Sequence, residues 1–191
     1  MQFMKQGKTN IQQYAMYFGT YMGVYWILKF ILFPLGFTIP FLQFLFIGLT
    51  LGVPFMGYYY LKIYRDKICG GSISFSKAFI FTVMLYVFAS LLTAVAHFVY
   101  FQFIDQGFII ENITLIINQF LEQVDEVPNL SETDVELMHT SANEVINTLA
   151  KMSAVDTTFN YMSRNIFGGI ILALITALIG QRRPKITQGE I

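Results

Sequence analysis

Residues 78–103, AFIFTVMLYVFASLLTAVAHFVYFQF, form a continuous apolar stretch that contains no Asp, Glu, Lys or Arg. A helix needs about 20 mostly apolar residues to cross the hydrocarbon core of a bilayer, and this stretch meets that requirement. Three other stretches meet it as well, at residues 14–33, 39–61 and 159–180. The sequence therefore predicts an all-α integral membrane protein with four transmembrane helices.

The composition agrees with a chain whose bulk lies in lipid. Of its 191 residues, 55% are hydrophobic and 13% are charged, and the mean hydropathy is +0.56. Soluble domains carry about 25% charged residues. The bases form no patch of the kind that binds nucleic acid, so a nucleic-acid partner is not expected. The single cysteine, Cys69, excludes an internal disulfide and is read as an inert thiol, with a redox or lipidation site as the alternative.

The charged residues are divided between segments. Ten of the twelve carboxylates lie in residues 104–158, beside one base, Lys151. Because Lys and Arg near span ends resist translocation, the basic segments are expected in the cytoplasm. The acidic segment is then outside, with both termini inside. Nine bases support this topology: Lys5, Lys8, Lys62, Arg65, Lys67, Lys77, Arg182, Arg183 and Lys185.

Small residues and prolines predict how the spans pack. Residues 34–38 are expected to form a tight turn, bracketed by Pro34 and Pro40, between the first two spans. Small residues four positions apart let membrane helices approach closely, although glycine and alanine are frequent in such helices in any case. Each span carries such a set: Gly19 and Gly23; Gly48 and Gly52; Ser90 and Ala94; Gly169, Ala173 and Ala177. Three ionisable residues inside the spans are expected to reach the headgroups: Lys29, His97 and Arg164.

The acidic segment shows the spacing of two amphipathic helices, at residues 108–124 and 135–152. Pro128 is expected to end the first helix, and Ser131, with Asp134 three residues later, to cap the second. The two helices would form an extracytoplasmic hairpin. Their apolar faces could pair with each other, lie on the outer leaflet or receive a partner. Those faces are predicted to contain Ile109, Ile113, Ile116, Ile117, Phe120, Leu121 and Val124, and Val135, Met138, Ala142, Val145, Ile146, Leu149 and Met152.

The polar face of this hairpin is the candidate partner surface. It contains Glu122, Asp125, Glu126, Glu132 and Glu136. A divalent cation between such carboxylates is the alternative to a solvated acidic face, but Leu137 stands where a calcium loop needs glycine. No metal, cofactor or catalytic residue is therefore predicted.

The histidines do not change that conclusion. His139 has no Cys or His nearby in sequence, which disfavours zinc. His97 has no second ionisable group at similar depth on another span with which to relay a proton.

The connection between the second and third spans reads YRDKICGGSISFSKAF, residues 64–79. This motif, with four spans and an acidic outer segment, resembles the bacterial membrane family catalogued as domain of unknown function 4199, found mainly in Bacteroidetes. The resemblance implies a multi-pass protein of the bacterial inner membrane and supplies no catalytic residues. By its own chemistry, the glycine pair turns the chain, the serine caps the third span and the lysine stays at headgroup level. The candidate cytoplasmic motif comprises Arg65, Asp66, Gly70, Gly71, Ser74, Phe75 and Lys77.

The predicted function is that of a non-enzymatic scaffold or partner subunit, built as a single membrane domain over residues 1–191. Its partners would be the lipid bilayer and either a protein partner or further copies of itself. The alternative is a small transporter or flippase-like subunit acting on a lipid-linked or small substrate. Transport needs polar residues inside the bundle, and few are predicted there: Thr50, Ser90, Thr93 and Thr176.

Overall fold

A computed structural model describes residues 10–127 and 130–182, and within these ranges the chain is helical apart from short links. A π-helical turn, Tyr64–Ile68, extends α2, and one isolated antiparallel bridge joins Ile73 to Arg182. The predicted all-helical fold is confirmed. Its helices are α1 (Ile11–Thr38), α2 (Pro40–Ile63), α3 (Phe75–Phe103), α4 (Phe108–Asp125), α5 (Glu132–Lys151) and α6 (Ala154–Gly180).

Four of these helices are long and apolar enough to cross a membrane, as predicted. They are α1, α2 together with its π-helical turn, α3 and α6. Each extends beyond the predicted apolar stretch at one end or both. Polar and aromatic residues at the boundary can continue a helix because the helix satisfies its own backbone hydrogen bonds.

The connection between α1 and α2 is shorter than predicted. Helix α1 continues through Pro34 to Thr38, so Ile39 alone separates the two helices and the predicted turn over residues 34–38 is wrong. Membrane helices tolerate an internal proline because neighbouring groups can compensate for the lost hydrogen bond. Pro40 fits the first turn of α2, where its missing N–H would have no helical partner in any case.

The described residues fall into two compact units. The first contains residues 10–95 and 161–182, and the second contains residues 96–160. The core of the first unit is apolar and aromatic, with Tyr64 stacked on Phe81 at 4.1 Å between ring centroids. Its most deeply buried residues include Met22, Leu61, Phe81, Leu85, Ala173 and Ala177.

Three of the four predicted sets of small residues lie in the interior of the bundle. A Cβ added at Gly19 would lie 2.8 Å from the Leu85 carbonyl oxygen, so α1 and α3 touch there backbone to backbone. Ser90 and Ala94 are buried, as are Gly169, Ala173 and Ala177. Gly48 is the exception, because it is exposed and a Cβ added there would meet no described atom within 4 Å.

Candidate functional site

The link between α2 and α3 is built on a sharp turn at two glycines. The Cys69 N–H donates to the Tyr64 carbonyl at 3.0 Å, which closes the π-helical turn, and the Gly71 N–H donates to the Arg65 carbonyl at 2.9 Å. Gly70 and Gly71 have φ of 70° and 85°, a left-handed conformation that a side chain disfavours. The predicted turn at this glycine pair is therefore confirmed.

Arg65 organises this link through three donor groups. Its Nε donates to Asp66 Oδ1 at 2.6 Å and its Nη2 to Asp66 Oδ2 at 3.0 Å, a two-point contact. Its Nη1 donates to the carbonyl of Gly180, the last residue of α6, at 3.0 Å. Arg65 is buried, with 8% of its surface exposed. A guanidinium at a helix C-terminus satisfies a carbonyl that has no partner within the helix.

A second contact joins the same elements. The backbone of Ile73 exchanges two hydrogen bonds with Arg182, each of 2.9 Å, just beyond the end of α6. Ile73 is 4% exposed. We call residues 64–74 together with 180–182 the Arg65 junction. Its hydrogen bonds connect the end of α2 and the segment before α3 with the end of α6.

The remaining residues of the candidate cytoplasmic motif make fewer described contacts than Arg65. Ser74 directly precedes α3, and its carbonyl accepts the Ala78 N–H at 3.0 Å; capping by its hydroxyl stays a prediction. Phe75 stacks on Phe79, and Lys77 is exposed. Burial raises the pKa of the half-buried Cys69 thiol, which favours its protonated form at neutral pH.

A buried carboxylate fixes the corner between α3 and α4. Asp105 is 7% exposed, and its Oδ1 accepts the Ile109 N–H at 3.2 Å, in the first turn of α4. Gln106 and Gly107 follow with φ of 46° and 91°. The sequence does not reveal this contact, because Asp105 is one of ten carboxylates in the acidic segment and has no distinguishing motif around it.

The start of α5 confirms the predicted cap. Ser131 Oγ accepts the Asp134 N–H at 3.1 Å, and the same hydroxyl donates to Asp134 Oδ2 at 2.8 Å. Helix α4 ends at Asp125, while Pro128, the predicted end signal, lies outside the described residues.

Helices α4 and α5 contact each other, and part of each predicted apolar face is buried or half-buried. On α4, Ile109, Leu121 and Val124 are buried. The half-buried row of α5 contains Val135, His139, Ala142, Ile146 and Leu149, and Met152, directly after the helix, is also half-buried. Four other residues of the predicted apolar faces are exposed, by 54%, 57%, 38% and 49%: Ile116, Phe120, Met138 and Val145.

One side-chain contact links α4 and α5 within the predicted acidic surface. His139 Nε2 lies 2.8 Å from Asp125 Oδ1. This contact between a histidine and a carboxylate was not predicted from the sequence. The other four acids of that surface are exposed: Glu122, Glu126, Glu132 and Glu136. In residues 10–127 and 130–182, no group of three His, Cys, Asp or Glu side chains could hold a metal ion.

Helix α3 carries more buried polar residues than the sequence suggested. Three of its hydroxyls donate to backbone carbonyls: Thr82 to Ala78 at 2.9 Å, Thr93 to Ala89 at 2.8 Å and Ser90 to Met162 at 3.1 Å. Thr50, predicted inside the bundle, is exposed. Thr176 is buried as predicted.

Two other buried donors in the same unit differ from these hydroxyls. The Tyr86 hydroxyl and Trp26 Nε1 have no hydrogen-bond partner among the described residues.

The three ionisable residues within the spans have different surroundings. The Lys29 ammonium lies over the rings of Trp26 and Phe46, at 5.8 Å and 5.4 Å from their centroids. Arg164 is exposed. His97 is 3% exposed, so the prediction that it reaches the headgroups is wrong.

Comparison with known families shows the family of this chain. Residues 17–182 match the family described as "Protein of unknown function (DUF4199)". The chain belongs to this family. The DUF4199 match begins within α1 and ends at Arg182, the residue bridged to Ile73, so it includes the whole Arg65 junction. The comparisons with curated proteins and with solved structures gave no match.

The Ser131 cap of this DUF4199 chain gives a direct prediction. Ser131→Ala removes the acceptor for the Asp134 N–H and should destabilise α5 by about 1 kcal/mol. Hydrogen exchange of the α5 amides should be faster at the first turn, while Thr133→Ala, an exposed control two residues away, should leave it unchanged. Equal exchange in the two variants would show that the cap does not stabilise the helix.

Proposed function

We propose that this chain is a non-enzymatic scaffold or partner subunit of the bacterial inner membrane. Its partner surface would be the acidic face of α4 and α5, held outside the cytoplasm as a helical hairpin. The distribution of Lys and Arg supports this orientation. The observation that carries the proposal is that exposed carboxylates collect around the Asp125–His139 contact.

Helical spacing places those carboxylates on one side of the pair. Glu122 lies three residues before Asp125 on α4, and residues three or four apart are neighbours on a helix surface. On α5, Glu136 and Glu132 lie three and seven residues before His139. Because Asp125 contacts His139, these acids share one face. Such a face attracts a basic partner, and salt should weaken the association.

The bundle interior supports a structural role. Ser90 of α3 donates to the Met162 carbonyl of α6, and Thr93 of α3 also donates to the Gly23 carbonyl of α1 at 3.4 Å, so these two hydroxyls link helices. Thr82 donates to Ala78 within α3. The Arg65 junction also has a structural role, because Arg65 Nη1 donates to the carbonyl at the end of α6.

A small transporter or flippase-like subunit is the second candidate. It is favoured by the two buried donors without a partner among the described residues, Trp26 Nε1 and the Tyr86 hydroxyl. Their rings stack at 6.0 Å between centroids. Buried donors of this kind are costly unless a ligand or water accepts from them.

Charge reversal tests the scaffold proposal. Glu122, Glu132 and Glu136, all changed to Lys in one variant, should abolish recovery of the partner that co-purifies from native membranes in mild detergent. Asp125 is kept so that its contact with His139 survives. A second comparison uses single variants. Glu136→Lys changes the acidic face, and Glu144→Lys is its control, since Glu144 is exposed on α5 but lies on a different side of the helix from His139.

Two results would contradict this proposal. One is a partner recovered equally by the triple variant and by wild type, which would contradict the acidic face as the binding surface. The other is a wild-type protein without any specific partner that transports a substrate in liposomes, with transport lost in Tyr86→Phe. His97→Ala should leave the association with the partner intact.

A further inference from the structure

The α4 and α5 helices carry an exposed apolar row in addition to the one that joins them. Ile116 and Phe120 are four residues apart on α4, with 54% and 57% of their surface exposed. Met138 and Val145 are seven residues apart on α5, with 38% and 49% exposed. Residues at these spacings lie along one side of a helix.

The Asp125–His139 contact shows that these two rows share a face. At about 100° per residue, Phe120 and Ile116 lie on one side of the buried Val124, and Asp125 lies on the other. On α5, His139 lies at one edge of the half-buried row, and Met138 and Val145 lie beyond the opposite edge. Since the acidic sides of the two helices meet at Asp125 and His139, their apolar sides meet on the other face.

The ends of this helix pair restrict what can cover the apolar face. Helix α4 begins five residues after α3 ends at Phe103, and α6 begins three residues after α5 ends at Lys151. Asp105 fixes the first of these corners by capping α4. Both ends are thus tethered to candidate membrane spans. Apolar residues at or next to these two connections are also exposed, namely Phe103, Ile104, Val155 and Phe159.

We propose that the face formed by Ile116, Phe120, Met138 and Val145 rests in the headgroup region of the bilayer. A helix pair with one apolar face, one acidic face and short tethers to two spans is suited to lie in the plane of the interface. The lipid-bound face turns the carboxylates of Glu122, Glu132 and Glu136 towards water. This inference deepens the proposed function by orienting its partner surface, but it requires only the lipid and no partner.

Fluorescent labels on adjacent residues test the inference in the full chain. In a Cys69→Ser background, an environment-sensitive label is attached at Val145→Cys or at the matched control Glu144→Cys, and each protein is placed in phosphatidylcholine nanodiscs. Nitroxide lipids labelled near the headgroup should quench the label at position 145 several-fold more than at 144. Aqueous iodide should show the opposite preference. A second pair, Phe120→Cys and Gln119→Cys, should repeat this pattern on α4.

Each other outcome overturns the inference. Equal iodide quenching at 144 and 145, with equal quenching at 119 and 120, would place both faces in water. Labels at 145 and 120 that neither quencher reaches would show a second copy or another protein on the face. Emission of Trp26, the single tryptophan and a buried one, reports whether each variant keeps its bundle folded. The quenching result does not depend on whether a partner for the acidic face is found. The proposed partner surface and the proposed lipid contact can therefore be contradicted independently.

Discussion

Gly19→Ala is expected to destabilise the bundle by about 1–3 kcal/mol, because the added methyl group overpacks a contact that has no room for it. The new Cβ would lie 2.8 Å from the Leu85 carbonyl oxygen and 2.8 Å from Phe88 Cβ. The first of these atoms belongs to the backbone of α3, so rotation of a side chain cannot relieve it. The buried Trp26 gives a fluorescence signal for denaturant titrations in detergent.

Gly48→Ala is the matched control for that change. Gly48 also lies within a candidate span, but a Cβ there would meet no described atom within 4 Å. Alanine favours a helix over glycine by about 0.5–1 kcal/mol, so this variant should be neutral or slightly more stable. Equal losses in the two variants would mean that α1 and α3 do not pack through Gly19.

Arg65→Ala is expected to destabilise the first unit by about 2–3 kcal/mol, because it removes a charged donor from the Gly180 carbonyl. Asp66 is exposed and can be solvated after the change, so it adds little to the loss. Hydrogen exchange at the end of α6 should increase, since Arg65 no longer holds that helix to the end of α2.

Two further substitutions show whether the geometry of Arg65 matters. Arg65→Lys keeps the charge but cannot reproduce three donors in a fixed fork, so it should restore only part of the stability. Lys67→Ala removes an exposed base from the same π-helical turn and should have little effect. Full stability in Arg65→Ala would contradict the structural role of the junction.

The sequence predicts those parts of the fold that depend on local chemistry. Hydropathy alone locates the four spans, because crossing a bilayer requires a length and a composition that few other structures need. The Ser131 cap and the turn at Gly70 and Gly71 are equally local, since each depends on neighbouring residues. Pro34 shows the limit of local rules, because a residue that normally breaks helices lies inside α1.

Contacts between distant residues could not be predicted in the same way. Arg65 and Gly180 are 115 positions apart, and nothing near either residue indicates that the guanidinium closes α6. Periodicity located the apolar faces of α4 and α5 but did not separate the row that joins them from the row that stays exposed. Val145 and Ile146 are adjacent and both apolar, yet only Val145 is among the exposed residues. Which side of a helix becomes buried depends on the helix that packs against it, and the local sequence does not specify that helix.

The proposed orientation of the acidic segment is the claim on which the account of function depends, and cysteine labelling tests it most directly. In spheroplasts that carry Cys69→Ser, an impermeant maleimide should modify Ser141→Cys, an exposed position on α5 outside its cap. Ser72→Cys, in the Arg65 junction, should be modified only after the membrane is opened. Labelling of Ser72→Cys but not Ser141→Cys in intact spheroplasts would contradict the account.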